Sequence, residues 1–337
     1  MRAQIIRSFG EADVFEREEL PRPALGPSQV LIRVGASSVN TADVKARELG
    51  HALDFVPDLP AVLGMDVAGT VDAVGADVQA FTPGDAVYGC AGGVRGHGGA
   101  LAEYLVADAR LLAHKPVKLS MEEAAALPLV SITAWEALYD RMDVAPGDRV
   151  LVHGGAGGVG HIAIQLARAR GAWVAATGRG AGQLDLIARL GAEPIDWSAE
   201  EPSRYVARLT GGEGFDSVFD TVGTSNIVIS FEGARHGGQV ATTVSLATVD
   251  LSIAHAKGLS LHVIYMLLPM LHGPGRERHG RILTALAQMA DAGLIRPLID
   301  SVFPLDRVAD AHRRLEAGRM MGKVVVTVSP EDRSRDA

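Results

Sequence analysis

The spacing of hydrophobic and polar positions changes near residue 120. Before that point the apolar runs are short and strand-like: "AQIIRSF", "QVLIRVGASSV", "DVAGTVDAVG" and "DAVYGC". Breaks rich in Gly, Pro and Asp, such as "PRPALGPS" and "FTPGD", separate them. Many short strands with frequent turns predict a compact barrel or sandwich. The stretch "SMEEAAALPLVSITAWEALYDRM" then reads as helix, with Ser120 as cap and Glu123 completing a capping box. Alternating units follow. "RVLVH" leads into a helix over 158–170, and "AWVAAT" into one near 183–190. "EPIDW" leads into a helix near 202–209, "FDSVFD" into "NIVISFEGA", and then "GQVATTV". Strands alternating with helices predict a parallel sheet, with "LSLHVIYML" as its last strand. Past about residue 270 come a Gly/Arg-rich loop, helices in "RILTALAQMADAGL" and "DRVADAHRRLEAG", a strand "GKVVVTV" and a mobile tail "SPEDRSRDA".

Composition narrows the class. The chain has 337 residues, 47 % hydrophobic and 21 % charged, as expected of a soluble globular protein with two or three domains' worth of material. A net charge of −8 with no basic run argues against a nucleic-acid partner. "MRAQIIRSFG" lacks the apolar core of a secretory leader. The most apolar stretch, "LHVIYMLLPML", is too short to cross a bilayer and contains Pro269, so no membrane association is expected. One cysteine, Cys90, allows no internal disulfide and fits a cytoplasmic location.

The candidate chemistry begins at "VLVHGGAGGVGHIAIQLARARGA". Gly155, Gly157 and Gly160 form a GxGxxG pattern between a strand and a helix, with Ala156, Gly158 and Val159 completing the loop. Gly155 is expected to make the tight turn and Gly157 to admit a pyrophosphate close to the backbone. Gly160 is expected to pack the helix on the strand. The helix N-terminus adds N–H donors. The next strand runs "VAATGRGAGQL" and ends without the acid that binds both ribose hydroxyls in NAD sites. Gly178 and Arg179 stand there instead. An arginine pairs with a 2′-phosphate, so NADP(H) is the expected cofactor, with Thr177 and Gln183 as added neutral hydrogen-bonding groups. Two further strand ends, Thr221, Val222 and Gly223, then Val244, Ser245 and Leu246, lie where open α/β sheets bind ligands.

Several stretches together make the chain resemble the medium-chain dehydrogenase/reductases, most of all their zinc-free quinone oxidoreductase branch. They are "SVNTADVKAR", "LPAVLGMDVAGTVDAVGADV", "FTPGDAVYG", "GALAEYLV", "LPLVSITAWEAL", "PGDRVLVHGGAGGVG", "FDTVG" and "MGKVVVTV". The resemblance implies an α/β protein. A discontinuous GroES-like, β-rich catalytic domain would span 1–121 and 270–337. A Rossmann domain, a doubly wound parallel sheet binding NADP(H), would span 122–269. It implies an active site in the cleft between them and a homodimer joined through the last Rossmann strands. Asn40 matches the family's asparagine that orients cofactor and substrate; the bland alternative is a turn-stabilising residue. Thr133 matches a position facing the nicotinamide, or packs inside a helix. Gly322 and Lys323 match a C-terminal cofactor contact, or Lys323 is a solvated charge. Asp43 and Lys45 read either as residues that tune the site or as exposed polar residues, and Asp66 as a residue buried with a partner.

Zinc-dependent relatives hold their metal with a cysteine, a Gly-His-Glu motif and a later cysteine or acid. At those places this chain has Asn40, "GMD" at Gly64 to Asp66, and "LPLVSITAW" without cysteine. A four-cysteine site is impossible, and the 11 histidines form no close ligand pair, so no metal is expected. Without a Lewis acid, hydride suits an acceptor that is already electrophilic. The expected activity is therefore NADPH-dependent reduction of a small-molecule electron acceptor, a quinone or an α,β-unsaturated carbonyl. A 2-enoyl thioester reductase and a nucleotide-binding protein without turnover are the alternatives.

Overall fold

The computed structural model describes residues 1–243 and 247–328. Val244, Ser245 and Leu246, and the tail "SPEDRSRDA", lie outside the described residues. The chain opens with β1 (Arg2–Ile6), β2 (Phe15–Glu19), β3 (Gln29–Val39), α1 (Thr41–Leu49), β4 (Ala61–Val62), β5 (Asp66–Val74), β6 (Ala86–Cys90), β7 (Tyr104–Asp108) and β8 (Leu112–His114). The stretch read as one helix after Ser120 is α2 (Met121–Ala125) and α3 (Pro128–Trp135), followed by a π-helical segment over Glu136–Arg141. The capping box is present: the Glu123 amide donates to Ser120 Oγ at 3.2 Å, and the Ser120 amide to Glu123 Oε2 at 3.0 Å. Pro128 explains the break. It lacks an N–H, disfavours helical geometry in Leu127, and suits the first turn of a new helix.

The alternating region gives β9 (Arg149–His153), α4 (Gly158–Ala169), β10 (Trp173–Gly178), α5 (Gly180–Arg189), β11 (Glu193–Asp196) and α6 (Pro202–Thr210). It continues with β12 (Phe215–Asp220), α7 (Asn226–Gly233), β13 (Ala234–Thr242), α8 (Ser252–Lys257) and β14 (Ser260–Val263). The C-terminal segment adds α9 (Leu268–His272), α10 (Arg276–Asp291), β15 (Ile299–Pro304), α11 (Val308–Glu316) and β16 (Lys323–Thr327).

Two compact units result: residues 1–129, 267–293 and 297 onward, and residues 130–266 with 294–296. The first unit is β-rich. Its main sheet has seven strands in the order β15-β16-β3-β5-β6-β8, with β7 on β3, and β2-β1-β4 form a smaller sheet. α2 packs on β3 and β5 and so stays with this unit, whereas the sequence boundary was expected at 121/122.

The second unit is a six-stranded sheet, ordered β11-β10-β9-β12-β13-β14, with every neighbouring pair parallel. That is the 3-2-1-4-5-6 order of a Rossmann fold, whose winding reverses between β9 and β12. The apolar centres of these strands explain the arrangement. Val150, Leu151 and Val152 of β9 are wholly buried, as strands covered on both faces must be. Leu151, Val218, Phe231 and Val240 share one core layer. In a parallel sheet all strand ends of one kind lie on one edge. His153, Gly178, Asp220 and Thr242 therefore share the C-terminal edge, where such sheets bind ligands.

Candidate active site

The glycine loop leaves β9 at the switch point. The tight turn is made by Gly154, with φ +74°, and not by Gly155 as the motif suggested. Gly155 serves packing instead: a Cβ there would stand 2.7 Å from Ala176 Cβ of β10. Gly160 is required more strictly, since a Cβ would meet the Gly154 carbonyl oxygen at 2.1 Å. Gly157 is different. A Cβ there would find only Gly154 O, at 3.3 Å, so the space beside it is left open by the protein's own atoms. Gly158, Val159 and Gly160 begin α4, where the first amides have no intrahelical carbonyl. Ala156 is buried behind the loop. An open face at Gly157 beside a helix N-terminus fits a dinucleotide pyrophosphate.

The neighbouring strand ends hold this loop in place. Thr177 Oγ1 accepts from the Gly154 amide at 3.0 Å, and the Thr177 carbonyl accepts from the Gly155 amide at 2.9 Å. Thr177 is only 3 % exposed, so its hydroxyl shapes the loop from below. On the other side, Thr221 Oγ1 donates to the His153 carbonyl at 2.6 Å. Asp220 Oδ1 accepts from the Val222 and Gly223 amides, each at 3.0 Å, and from Asn226 Nδ2 at 2.8 Å. The buried carboxylate thereby fixes the turn that presents Val222, which is 52 % exposed. His153 is buried beside Asp220, and burial pushes its imidazole down to about 4 against the pull of that carboxylate.

Arg179 follows β10 and is exposed. Its amide donates to Gln183 Oε1 at 2.9 Å, so Gln183 caps the start of α5 with that oxygen. The Arg179 guanidinium carbon lies 5.4 Å from the centre of the Trp197 ring. Among the described residues it forms no salt bridge, and the Asp196 carboxylate attracts it at longer range.

In the first unit, a polar cluster lies where β3, β5 and β16 meet α1. Asn40 follows β3, Asp66 opens β5 and Lys323 opens β16. Asn40, Asp43, Asp66 and Lys323 are 3 %, 1 %, 0 % and 2 % exposed. The Lys323 ammonium donates to Asn40 Oδ1 and, at 3.1 Å, to the Val39 carbonyl; Asp66 Oδ2 is 3.6 Å away. Asn40 Nδ2 donates to Asp66 Oδ2 at 2.9 Å and to Asp43 Oδ2 at 3.1 Å. Ser38 Oγ adds a 2.7 Å bond to Asp66 Oδ2, and the Leu129 amide a 2.9 Å bond to Oδ1. Both ends of the Asn40 amide are therefore held, which fixes its orientation. The expectation that Asp43 is exposed is corrected: α1 turns it inward, and its carboxylate also accepts from the Asn40 amide N–H at 2.9 Å. Two carboxylates share one ammonium. Burial first, and the Asp66 charge second, push Asp43 up to about 6. Burial draws Lys323 down, opposed by Asp66 and Asp43.

Thr133 lies in α3 and is 5 % exposed. Gly322, with φ +82°, is needed for backbone contact, because a Cβ would stand 2.1 Å from the Leu298 carbonyl oxygen. Lys323 is buried rather than solvated. Lys45 is half-buried.

A Rossmann sheet with this loop, on a chain whose other unit is a β-rich domain, defines a nicotinamide-dependent oxidoreductase. A family model described as an alcohol dehydrogenase GroES-like domain matches residues 26–117, and one described as a zinc-binding dehydrogenase matches residues 190–326. The chain is 33 % identical to an NADPH-dependent alkenal/one oxidoreductase of Arabidopsis thaliana, covering 98 % of this chain and 80 % of that one. It is 30 % identical to a human quinone oxidoreductase, covering 97 % of each. A solved alcohol dehydrogenase superfamily protein from Novosphingobium aromaticivorans superposes with a TM-score of 0.92 at 41 % identity, covering 98 % of this chain and all of that one. The chain belongs to the medium-chain dehydrogenase/reductase family, in its quinone oxidoreductase-like branch.

One family description implies zinc, and the residues at the positions named above bear on whether it can be held. They do not fit it. An ammonium, Lys323, already sits on Asn40 and beside Asp66, and a second cation there would be repelled. Cys90 pairs across from Asp66, but burial raises its thiol well above the ordinary range, and it rests 3.8 Å from the Met270 sulfur. Among the described residues, three acidic ligands converge only at the exposed Glu11, Glu48 and Glu316, two of which pair with Arg47.

Sequence reasoning undervalued Asp43 and missed Gly154. The signal for Asp43 was its place three residues after Asn40, a capping-box spacing. Gly154 was visible as the first glycine after a buried strand.

Proposed function

We propose that this chain is an NADPH-dependent reductase that delivers hydride to a quinone or an α,β-unsaturated carbonyl without zinc. The observation that carries the cofactor assignment is the end of β10, where Arg179 is exposed and, among the described residues, forms no salt bridge. Bound NADPH supplies the hydride. The chain's own residues bind and orient. The loop at Gly154 to Gly160 takes the pyrophosphate on the first amides of α4, and Arg179 pairs with the 2′-phosphate. Thr177 and Asp220 hold the loops that present those groups. The buried cluster locks Asn40 in one orientation. Its cation is an ammonium already bonded inside the protein, which suits an acceptor needing no Lewis acid. The names of the alkenal/one and quinone relatives support the same acceptor class.

Arg179→Ala tests the cofactor. A charge-assisted pair is worth about 1.5–3 kcal/mol, so NADPH binding should weaken at least about tenfold while NADH binding stays within twofold. Equal loss of both cofactors would overturn the assignment. Turnover with a quinone, an alkenal and an enoyl-CoA tests the acceptor; a large preference for the thioester would move the reading to an enoyl thioester reductase.

We also infer a homodimer. β14 is the last strand of the Rossmann sheet, and Leu261 and Val263 on it are 39 % and 52 % exposed. An apolar edge strand of this kind invites pairing with a second copy.

A further inference from the structure

Arg179 and Trp197 leave the Rossmann sheet side by side. β10 and β11 are parallel with Gly178 opposite Asp196, so the next residue of each strand is Arg179 and Trp197. The Trp197 amide donates to the Gly178 carbonyl at 3.2 Å, which ties the two strand ends together. The Arg179 backbone is fixed in turn by the bond from its amide to Gln183 Oε1 at 2.9 Å. The guanidinium lies 5.4 Å from the centre of the Trp197 ring. The ring is 56 % exposed, so its face is open to the guanidinium. The carboxylate at the end of β11, Asp196, is occupied by the Ser198 amide at 3.0 Å and the Ser198 hydroxyl at 2.6 Å. Arg179 therefore rests against an aromatic face, and the Asp196 carboxylate attracts it only at longer range. The distinction matters chemically. A carboxylate partner would consume guanidinium N–H donors and cancel the charge, whereas a ring beneath the plane leaves all five donors available.

We propose that Trp197 is a positioning residue for cofactor choice: it holds the Arg179 guanidinium in place for the 2′-phosphate of NADPH. The proposal rests on the NADPH reading above. Restraining a long side chain before binding removes part of its ordering cost, and that gain goes only to a ligand that Arg179 touches. NADH lacks the 2′-phosphate and gains nothing.

Dissociation constants for NADPH and NADH, measured by calorimetry on the full chain, test this in four variants. An exposed cation–π contact is worth about 0.5–1 kcal/mol, so Trp197→Ala should weaken NADPH about two- to fivefold and leave NADH unchanged. Trp197→Phe should keep most of the preference. In the Arg179→Ala background, Trp197→Ala should have no further effect on NADPH. If Trp197→Ala weakens both cofactors equally, or still weakens NADPH without Arg179, Trp197 does not act through Arg179 and the proposal fails. If Arg179→Ala shifts the preference but Trp197→Ala does not, this proposal fails and the NADPH reading stands. If Arg179→Ala itself leaves the preference unchanged, the NADPH reading fails first.

Discussion

The Lys323 ammonium donates to the side-chain carbonyl of Asn40, with the two residues 2 % and 3 % exposed. Residues 283 positions apart thus form one buried contact that sets the orientation of the Asn40 amide. The counter-charge is Asp66, 3.6 Å from the ammonium, and removing one member of a buried ion pair costs about 3–5 kcal/mol because the other charge stays behind without compensation. Lys323→Met should lower the free energy of urea unfolding by about that amount. Adding Asp66→Asn, which removes the stranded charge, should restore part of the loss. A single variant as stable as the parent would show that the pair is not uncompensated when broken.

Asp43 gives a pH signature of definite sign. Its folded carboxyl holds a proton up to about 6, against an ordinary value of 3.8. Between those values the folded form binds more protons than the unfolded one, so stability falls as pH rises across that window. The full difference is about 3 kcal/mol, and the contribution is flat above about pH 6. Asp43→Asn should abolish this fall. Unfolding free energies from pH 4 to 7.5 would show it, and an unchanged slope in the variant would refute it.

His153 predicts the opposite slope. Burial lowers its folded value to about 4 from 6.5, so the unfolded chain takes up a proton first as the solution is acidified. Stability is retained above pH 6.5 and lost as pH falls toward 4, by about 3 kcal/mol. His153→Gln should lessen that acid loss. The same urea series reads both variants, and their slopes should change in opposite directions.

Two glycines in one loop should behave differently. Gly160→Ala places a methyl 2.1 Å from the Gly154 carbonyl oxygen, so the loop must shift and thermal stability should drop. Gly157→Ala meets only that oxygen at 3.3 Å, so the fold should hold while cofactor affinity falls at least about tenfold. Calorimetric melting and NADPH titration separate the two. A Gly157→Ala protein that binds NADPH normally would mean that the open face beside Gly157 is not the pyrophosphate site.

The β14 edge gives a prediction about assembly. Leu261→Lys with Val263→Lys should convert a dimer to a monomer in sedimentation velocity, since lysines on an edge strand oppose strand pairing. A dimer that survives both substitutions would place the interface elsewhere.

Much of this protein is written locally. The alternation of β9 to β14 with helices, the Ser120 cap, and the strand-loop-helix at Gly154 to Gly160 all depend on neighbours within a few residues. So does the missing acid after β10. Such features were legible because period, capping and turn chemistry act over short range. The break at Pro128 was equally visible and was passed over in favour of the apolar pattern around it. The tertiary structure decided the rest. It chose Gly154 over Gly155 for the turn, because only packing against Ala176 shows what each glycine must accommodate. It turned Asp43 inward and brought Asp66 and Lys323 to Asn40 from separate strands. Burial and charge compensation are properties of the assembled core, and a charged residue alone in a sequence does not say whether a counter-charge will meet it.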